Sequence, residues 1–274
     1  MRQKYRQQTK LGIMSDIPLP PTLTEEDRRI VALLRHEPED WTRKSFDAVF
    51  IHLSLAHRLK DIDPAMAIFR AITAEEEAAT GLLRALQTRG YVGPGELLPK
   101  DHLQKAAVYP YLRAITKHTS DLRLNGIKEV RLGIPKDVEK PKLQLTLLLD
   151  GENDGIVAHP DPPLNLCIRE GGESVEYQKC FRELISPIGF EDIRKYLNVK
   201  KNVRNLLLYA SPQGLLDPGP VADSTLTGYK HRIMTILKAA LLVWPYTEVQ
   251  PFVQEAVRSF LGLVGRLRKV ADEA

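Results

Sequence analysis

The chain has 274 residues, of which 43% are apolar and 27% are charged, a balance typical of soluble globular proteins. This composition excludes collagen-like, disulfide-rich and wholly disordered chains. The net charge is +4, and four cations stand in the first ten residues, so the other 35 basic residues balance 35 acidic ones and give no overall drive toward polyanions.

The first 23 residues are a predicted flexible lead, which is basic and ends in a proline-rich stretch. The lead lacks the apolar core of a secretory signal. The longest apolar run, Ile236 to Trp244, is interrupted by Lys238 and is shorter than the roughly 20 residues needed to cross a bilayer. Cys167 and Cys180 have neither zinc-site nor disulfide-scaffold spacing. We therefore predict a cytoplasmic protein that has no membrane contact, metal or cofactor.

Residues 24–120 are predicted to form a helical bundle. The third helix is the clearest, because Asp63 is a capping residue and Pro64 stands at the first helical position. Pro110 must kink or restart the fourth helix. Apolar spacing and capping residues place the four helices at about 24–38, 42–57, 64–87 and 100–118.

The pattern changes after Ser120. Short apolar runs between Pro, Gly, Asn and Asp clusters predict strands at 130–134, 143–149, 164–168 and 203–209, with room for a helix at 181–197. Helical spacing returns at 227–243 and 247–270. The predicted class is α+β: an N-terminal α-helical bundle, a small β-containing middle region and two C-terminal helices. The predicted divisions are 1–23, 24–120, 121–224 and 225–274.

A carboxylate interrupts the apolar seam of the third predicted helix at Glu76. Glu75 and Glu77 are expected on more exposed faces. An unpaired buried charge costs several kcal/mol, so Glu76 should find a cation, a metal or a proton. It is either a rim ion pair or a functional group, and the candidate functional partners are His57, His102, Lys105 and Arg113.

Motifs for several metal and nucleotide sites are missing from the sequence. It contains no Glu-x-x-His pair for a di-iron bundle, no zinc-protease motif, no Walker motif and no dinucleotide fingerprint. Residues 150–161 partly imitate a calcium loop. A strand before this segment and prolines after it favour an acidic turn instead.

An alanine-rich predicted helix carries Glu76 and Glu77, and the next helix carries His102 and Lys105. Over about residues 40–120 this arrangement resembles the helical HEPN superfamily, particularly its abortive-infection branch in bacteria. In that branch one helix carries a Glu-Glu pair and the following helix carries His and Lys. The resemblance implies defence or toxin activity on RNA.

Many HEPN proteins are metal-independent ribonucleases that use Arg-x(4–6)-His across a dimer. On this resemblance His118 would be the general base for a ribose 2′-hydroxyl, and Arg113 would stabilise the phosphorane. Two pairs in this chain match the spacing: Arg113 with His118, and Arg29 with His36. The predicted catalytic residues are Arg113, His118, Glu76 and His102.

Basic residues supply the predicted nucleic-acid contacts, although a solvated face is the alternative. These residues are Lys105, Lys200, Lys201 and Arg204. The leading prediction is an abortive-infection protein that acts on RNA, as a homodimer. The alternative is a non-catalytic interaction or dimerisation module with a protein partner. Convergence of a histidine, an arginine and a carboxylate in one site would separate the two.

Overall fold

A computed structural model of the chain shows a mostly helical α+β protein, which confirms the predicted fold class. Helices come first, a small antiparallel sheet lies in the middle, and two helices close the chain. The structure describes residues 19–37, 40–93, 95–121, 127–135, 139–149, 156–166, 169–170, 173–174, 187–209, 214 and 217–272. Only the backbone is described at 117–121, 169–170, 173–174, 187–189, 201–202 and 271–272.

Local sequence signals set the helix starts. Thr24 caps the first helix in a reciprocal capping box with Asp27. Asp63 accepts a hydrogen bond from the backbone N–H of Met66, beside a proline at the first helical position. The helices in the described ranges are α1 (Glu25–His36), α2 (Trp41–Leu59), α3 (Pro64–Thr88), α4 (His102–Asp121), α5 (Pro187–Leu208), α6 (Asp223–Leu241) and α7 (Pro251–Asp272).

Pro110 lies inside α4, which continues past it as one helix, so the predicted restart does not occur. The predicted strand at 203–209 is wrong, because residues 203–208 are the last turns of α5. The apolar run there is one end of a longer helix and buries Leu207. Residues 164–166 form a turn and irregular chain rather than a strand, and 167–168 lie outside the described residues.

The described strands form two antiparallel units. β1 (Ile127–Gly133), β2 (Gln144–Leu149) and β3 (Ile156–Ala158) pair in that order, which confirms the strands predicted near 130–134 and 143–149. β4 (Arg169–Glu170) and β5 (Glu173–Ser174) form a separate short ladder. The central strand buries Leu145 and Leu147, which alternate along it as a half-buried strand requires.

One large cluster of buried side chains includes residues from each of α1 to α7. Leu143, just before β2, and Ile193 and Leu197 of α5 belong to the same cluster. The division of the chain into regions at residues 120 and 225 stays a prediction. The same buried cluster contains residues from all three regions on either side of these positions. Among the described residues, no helix is both long enough and apolar enough to cross a membrane.

Close packing holds α3 at the centre of the bundle. A Cβ at Gly81 would lie 2.1 Å from a ring carbon of Phe46 on α2, so a glycine is needed for the two helices to approach this closely. The Phe46 ring meets Trp244 edge-on, with ring centres 5.5 Å apart. The last residues before α1 are tied to the bundle as well: Leu23 is buried, and the carbonyl of Thr22 accepts a hydrogen bond from Lys230.

Candidate functional site

The middle of α3 carries two adjacent buried carboxylates. Glu76 is 9% exposed, so the predicted burial of this carboxylate is confirmed. Glu75 is 2% exposed, so the prediction that it lies on a more exposed face is wrong. The reason is that α3 contacts α2, α4, α5 and α6, which together cover several of its faces. Successive helical residues point about 100° apart, so the two carboxylates face different neighbours.

Glu75 lies among hydrogen-bond donors from α5 and α6. Its Oε1 accepts hydrogen bonds from Lys200 Nζ at 2.5 Å and from the Tyr196 hydroxyl at 3.1 Å. Its Oε2 accepts one from Arg232 Nε at 3.0 Å. Both oxygens are thus occupied, as a buried carboxylate requires. We call Glu75, Tyr196, Lys200 and Arg232 the inner cluster.

Aromatic rings enclose the inner cluster. The Arg232 guanidinium lies 4.1 Å from the ring centre of Tyr229, and burial raises the pKa of Tyr229 to about 12. Burial and the negative charge of Glu75 raise the pKa of Tyr196 far above its usual range. Burial acts to lower the pKa of Arg232, but the charge and hydrogen bond of Glu75, together with Tyr196 and Tyr229, outweigh burial and raise this pKa. Both tyrosines are therefore neutral near pH 7, and Arg232 is charged.

Glu76 faces α4 and the C-terminal half of α5. Its Oε2 is 3.2 Å from His102 Nδ1 and 3.2 Å from Lys105 Nζ, and its Oε1 is 3.5 Å from Arg204 Nη1. The predicted recruitment of a cation is thus confirmed. We call these four residues the outer cluster. Lys105 is buried, but 60% of the His102 side chain is exposed, so the outer cluster opens to solvent at this histidine.

His102 lies between a carboxylate and a guanidinium. Its Nδ1 is within hydrogen-bond distance of both Glu76 Oε2 and, at 3.1 Å, Arg204 Nη1. With a proton on Nδ1, the ring donates to Glu76 and leaves Nε2 as an acceptor, the state of a general base. Without that proton, Nδ1 accepts from Arg204 and Nε2 carries the proton of a general acid. The arrangement therefore suits proton transfer at Nε2.

The third carboxylate of the run, Glu77, is half-buried on another side of α3. Burial raises its pKa, an effect that the positive charge of Lys105 opposes. Arg84, two turns further along α3, also attracts it. The Arg84 guanidinium lies 3.8 Å from the ring centre of the exposed Trp41. Glu77 therefore has a cation of its own and lies beside the two clusters rather than inside them.

Several of the predicted site residues converge and others do not. Arg113 is exposed on α4, about 16 Å along the helix axis from His102, and so lies away from the outer cluster. The side chains of His118 and Lys201 lie outside the described residues. The predicted residues that meet around the two carboxylates are Glu76, His102, Lys105, Lys200 and Arg204.

Three members of the inner cluster had no predicted role in the site: Glu75, Tyr196 and Arg232. The signal for Glu75 is that α3 has two buried apolar stripes, and Glu75 lies between them. One stripe contains Ala71, Ala74 and Ala78, and the other contains Ile72, Ala79 and Leu83. A helix with apolar residues on two sides is buried on more than one face. No comparable local signal marks Arg232, which arrives from α6, 157 residues further along the chain.

Among the described residues, no group of three or more His, Cys, Asp or Glu side chains is placed to hold a metal ion. Residues 150–155 of the predicted acidic turn lie outside the described residues, and residues 156–158 form β3. Comparison of the chain with models of protein families, with curated proteins and with solved structures found no match in any of the three.

Proposed function

We propose that this protein cleaves RNA without a metal ion, in the cytoplasm of a bacterium, as an abortive-infection protein with a HEPN-like helical domain. The observation that carries the proposal is the exposed imidazole of His102, held between Glu76 and Arg204. A histidine oriented by a carboxylate beside a fixed cation is a suitable arrangement for proton transfer next to a phosphate.

The resemblance to the HEPN superfamily rests on Glu76, Glu77, His102 and Lys105. Three of these residues, one from α3 and two from α4, meet in the outer cluster. That contact supports the proposal, because an active site needs a histidine, a cation and a carboxylate in one place. It also moves the proposed base from His118 to His102, and the proposed phosphate ligand from Arg113 to Arg204.

The proposed reaction is attack of a ribose 2′-hydroxyl on the adjacent phosphorus. His102 Nε2 takes the hydroxyl proton, with Nδ1–H held by Glu76. Arg204 and Lys105 stabilise the negative charge that develops on the phosphorane oxygens. The 5′-oxygen then leaves with a proton returned by the imidazolium. The products are a 2′,3′-cyclic phosphate and a 5′-hydroxyl end.

The test is incubation of the purified full chain with total RNA in the presence of a chelator. We expect cleavage that leaves 2′,3′-cyclic phosphate ends. His102→Ala should lower the rate about 10²–10⁴-fold, the range typical of losing a general base. His231→Ala is the matched control, because His231 is exposed on α6, outside both clusters, and its loss should leave the rate unchanged. Activity that survives both His102→Ala and Arg204→Gln would remove the assignment.

The second candidate function is a non-catalytic interaction or dimerisation module with a protein partner. The enclosed inner cluster favours it, since a fully bonded buried carboxylate is typical of a structural polar network. On this proposal neither the wild-type chain nor its His102 variants cleave RNA. The homodimer stays a prediction, and sedimentation equilibrium of the purified chain measures it.

A further inference from the structure

The two clusters together contain more positive than negative charge. Among the described residues, four cations are in ion-pair contact with two carboxylates, Glu75 and Glu76, so the two clusters by themselves carry a surplus of two positive charges. Beside them Glu77 attracts Lys105 and Arg84, and Asp40 also attracts Arg84. The four cations are Lys105, Lys200, Arg204 and Arg232.

Two of the four cations are largely removed from water. The side chains of Lys105 and Lys200 are 9% and 10% exposed, and each contacts a carboxylate. Charges removed from water need such a counter-charge, because their solvation is lost. Arg204 and Arg232 are more exposed, and a bound anion would neutralise the charge that the two carboxylates leave.

Arg204 is the cation with the most capacity left for such an anion. The oxygens of Glu75 are filled by Tyr196, Lys200 and Arg232. Arg204, in contrast, has Nη1 3.5 Å from Glu76 Oε1 and 3.1 Å from His102 Nδ1. One third of its side chain is exposed, next to the exposed His102. A guanidinium has five N–H donors, and its planar fork fits two oxygens of one phosphate.

We call the exposed surface between Arg204 and His102 the mouth. We infer that the mouth binds a phosphate group that carries two negative charges, either free phosphate or the terminal phosphate of a nucleotide or an RNA. A dianion matches the surplus of two, whereas an internal phosphodiester supplies one charge. The inference rests on the proposed function for the location of the site and deepens it, since a phosphorane collects charge at the same point. Binding itself requires no cleavage.

Titration calorimetry of the full chain tests the inference with three probes at matched ionic strength: inorganic phosphate, adenosine monophosphate and adenosine. We expect both phosphates to bind and adenosine to bind at least tenfold more weakly. If inorganic phosphate binds as tightly as adenosine monophosphate, the ligand is the free ion. If adenosine monophosphate binds more tightly, the ligand is the terminal phosphate of a nucleotide or an RNA. Equal affinity for adenosine and its monophosphate overturns the inference.

Variants at the mouth separate this inference from the proposed cleavage. Arg204→Gln should weaken adenosine monophosphate at least tenfold, while Arg258→Gln, in an exposed ion pair on α7, is the matched control and should not. Glu76→Gln should bind the nucleotide several-fold more tightly, because it raises the surplus by one, and yet should lose cleavage. Unchanged affinity in Arg204→Gln overturns the phosphate site, whereas nucleotide binding without any cleavage of RNA contradicts only the proposed reaction.

Discussion

Glu75 and Glu76 are neighbours in the chain but lie in different surroundings. The inner cluster around Glu75 is closed, with three donors on two oxygens and tyrosine rings beside them. The outer cluster around Glu76 has longer contacts and opens to solvent at His102. Packing decides this difference, since α5 and α6 cover one carboxylate and the other faces the more open side of α4.

On the proposed function, these two consecutive residues therefore have different roles: Glu75 stabilises the fold, and Glu76 serves the chemistry of the site. A closed carboxylate cannot exchange its partners without unfolding its surroundings, so its contribution is to the fold. An open carboxylate can orient its histidine by accepting the Nδ1–H bond and can share its cations with a ligand. The inner cluster should therefore dominate the free energy of unfolding, and the outer cluster should dominate any activity.

The largest expected effect is on stability, from Glu75→Gln. The change leaves Lys200 and Arg232 without their counter-charge, and breaking a buried ion pair from one side costs about 3–5 kcal/mol. Urea denaturation measures the loss as a fall in the midpoint. Glu191→Gln, in an exposed pair with Arg194, should leave the midpoint unchanged. Equal midpoints for Glu75→Gln and the wild type would mean that the inner cluster does not hold the fold.

Glu76→Gln should destabilise the protein less, by about 1–2 kcal/mol. Arg204 and His102 keep access to water when the carboxylate is neutralised, and only Lys105 is left buried. The same denaturation series gives the difference between the two variants. A loss as large as that of Glu75→Gln would show that the outer cluster is as closed as the inner one.

Tyr196→Phe removes one of the three donors to Glu75 while Lys200 and Arg232 remain. We expect a loss of about 1 kcal/mol, somewhat below the usual value for a hydrogen bond to a charged group, because the other two donors still satisfy the carboxylate. Tyr209→Phe, at an exposed position just after α5, is the control and should not change the midpoint. A change of several kcal/mol would mean that the hydroxyl organises the whole inner cluster.

Asp27 offers a third buried carboxylate, paired one-to-one with Lys230 of α6. Burial acts to raise its pKa, but hydrogen bonds from Thr24 and Lys230 outweigh this and lower the pKa below 3.8. A folded pKa below the unfolded value stabilises the protein above about pH 4, and this stability is lost as the pH falls through the folded pKa. The difference in unfolding free energy between wild type and Asp27→Asn should therefore shrink, by less than about 1 kcal/mol, between pH 6 and pH 3. A constant difference would contradict it.

His102→Ala should change stability least, by less than about 0.5 kcal/mol, because most of the side chain is already in water. Combined with the expected loss of RNA cleavage, this would place the histidine in the chemistry and outside the support of the fold. A loss above about 2 kcal/mol would instead make His102 a structural member of the outer cluster.

Local signals predicted α3 almost to the residue and predicted the burial of Glu76, because a capped helix with a regular seam needs no tertiary information. The same reasoning missed Glu75. The prediction of a single buried face assumes that α3 packs against one neighbouring helix. In the structure α3 lies at the centre and several helices cover it. The number of neighbours around a helix is a property of the whole fold, which spacing within that helix does not contain.

The C-terminal part of α5 also shows what a local sequence pattern cannot predict. The run Val203 to Tyr209, predicted as a strand, is too short to distinguish a strand from a helix end by periodicity. Lys200 and Arg204, by contrast, stand four residues apart, and their prediction as nucleic-acid contacts stays a prediction. The structure places them against Glu75 and Glu76.

Three side chains at successive turns of α5 fix how this helix sits on α3. Tyr196 and Lys200 meet Glu75, and Arg204, one turn later, meets Glu76. One residue inserted between Lys200 and Arg204 would rotate the arginine by about 100° and carry it away from His102, with the preceding turn undisturbed. Insertions and deletions outside residues 196–204 can therefore leave these contacts intact. Within residues 196–204, the number of residues fixes which side chains of α5 reach Glu75 and Glu76.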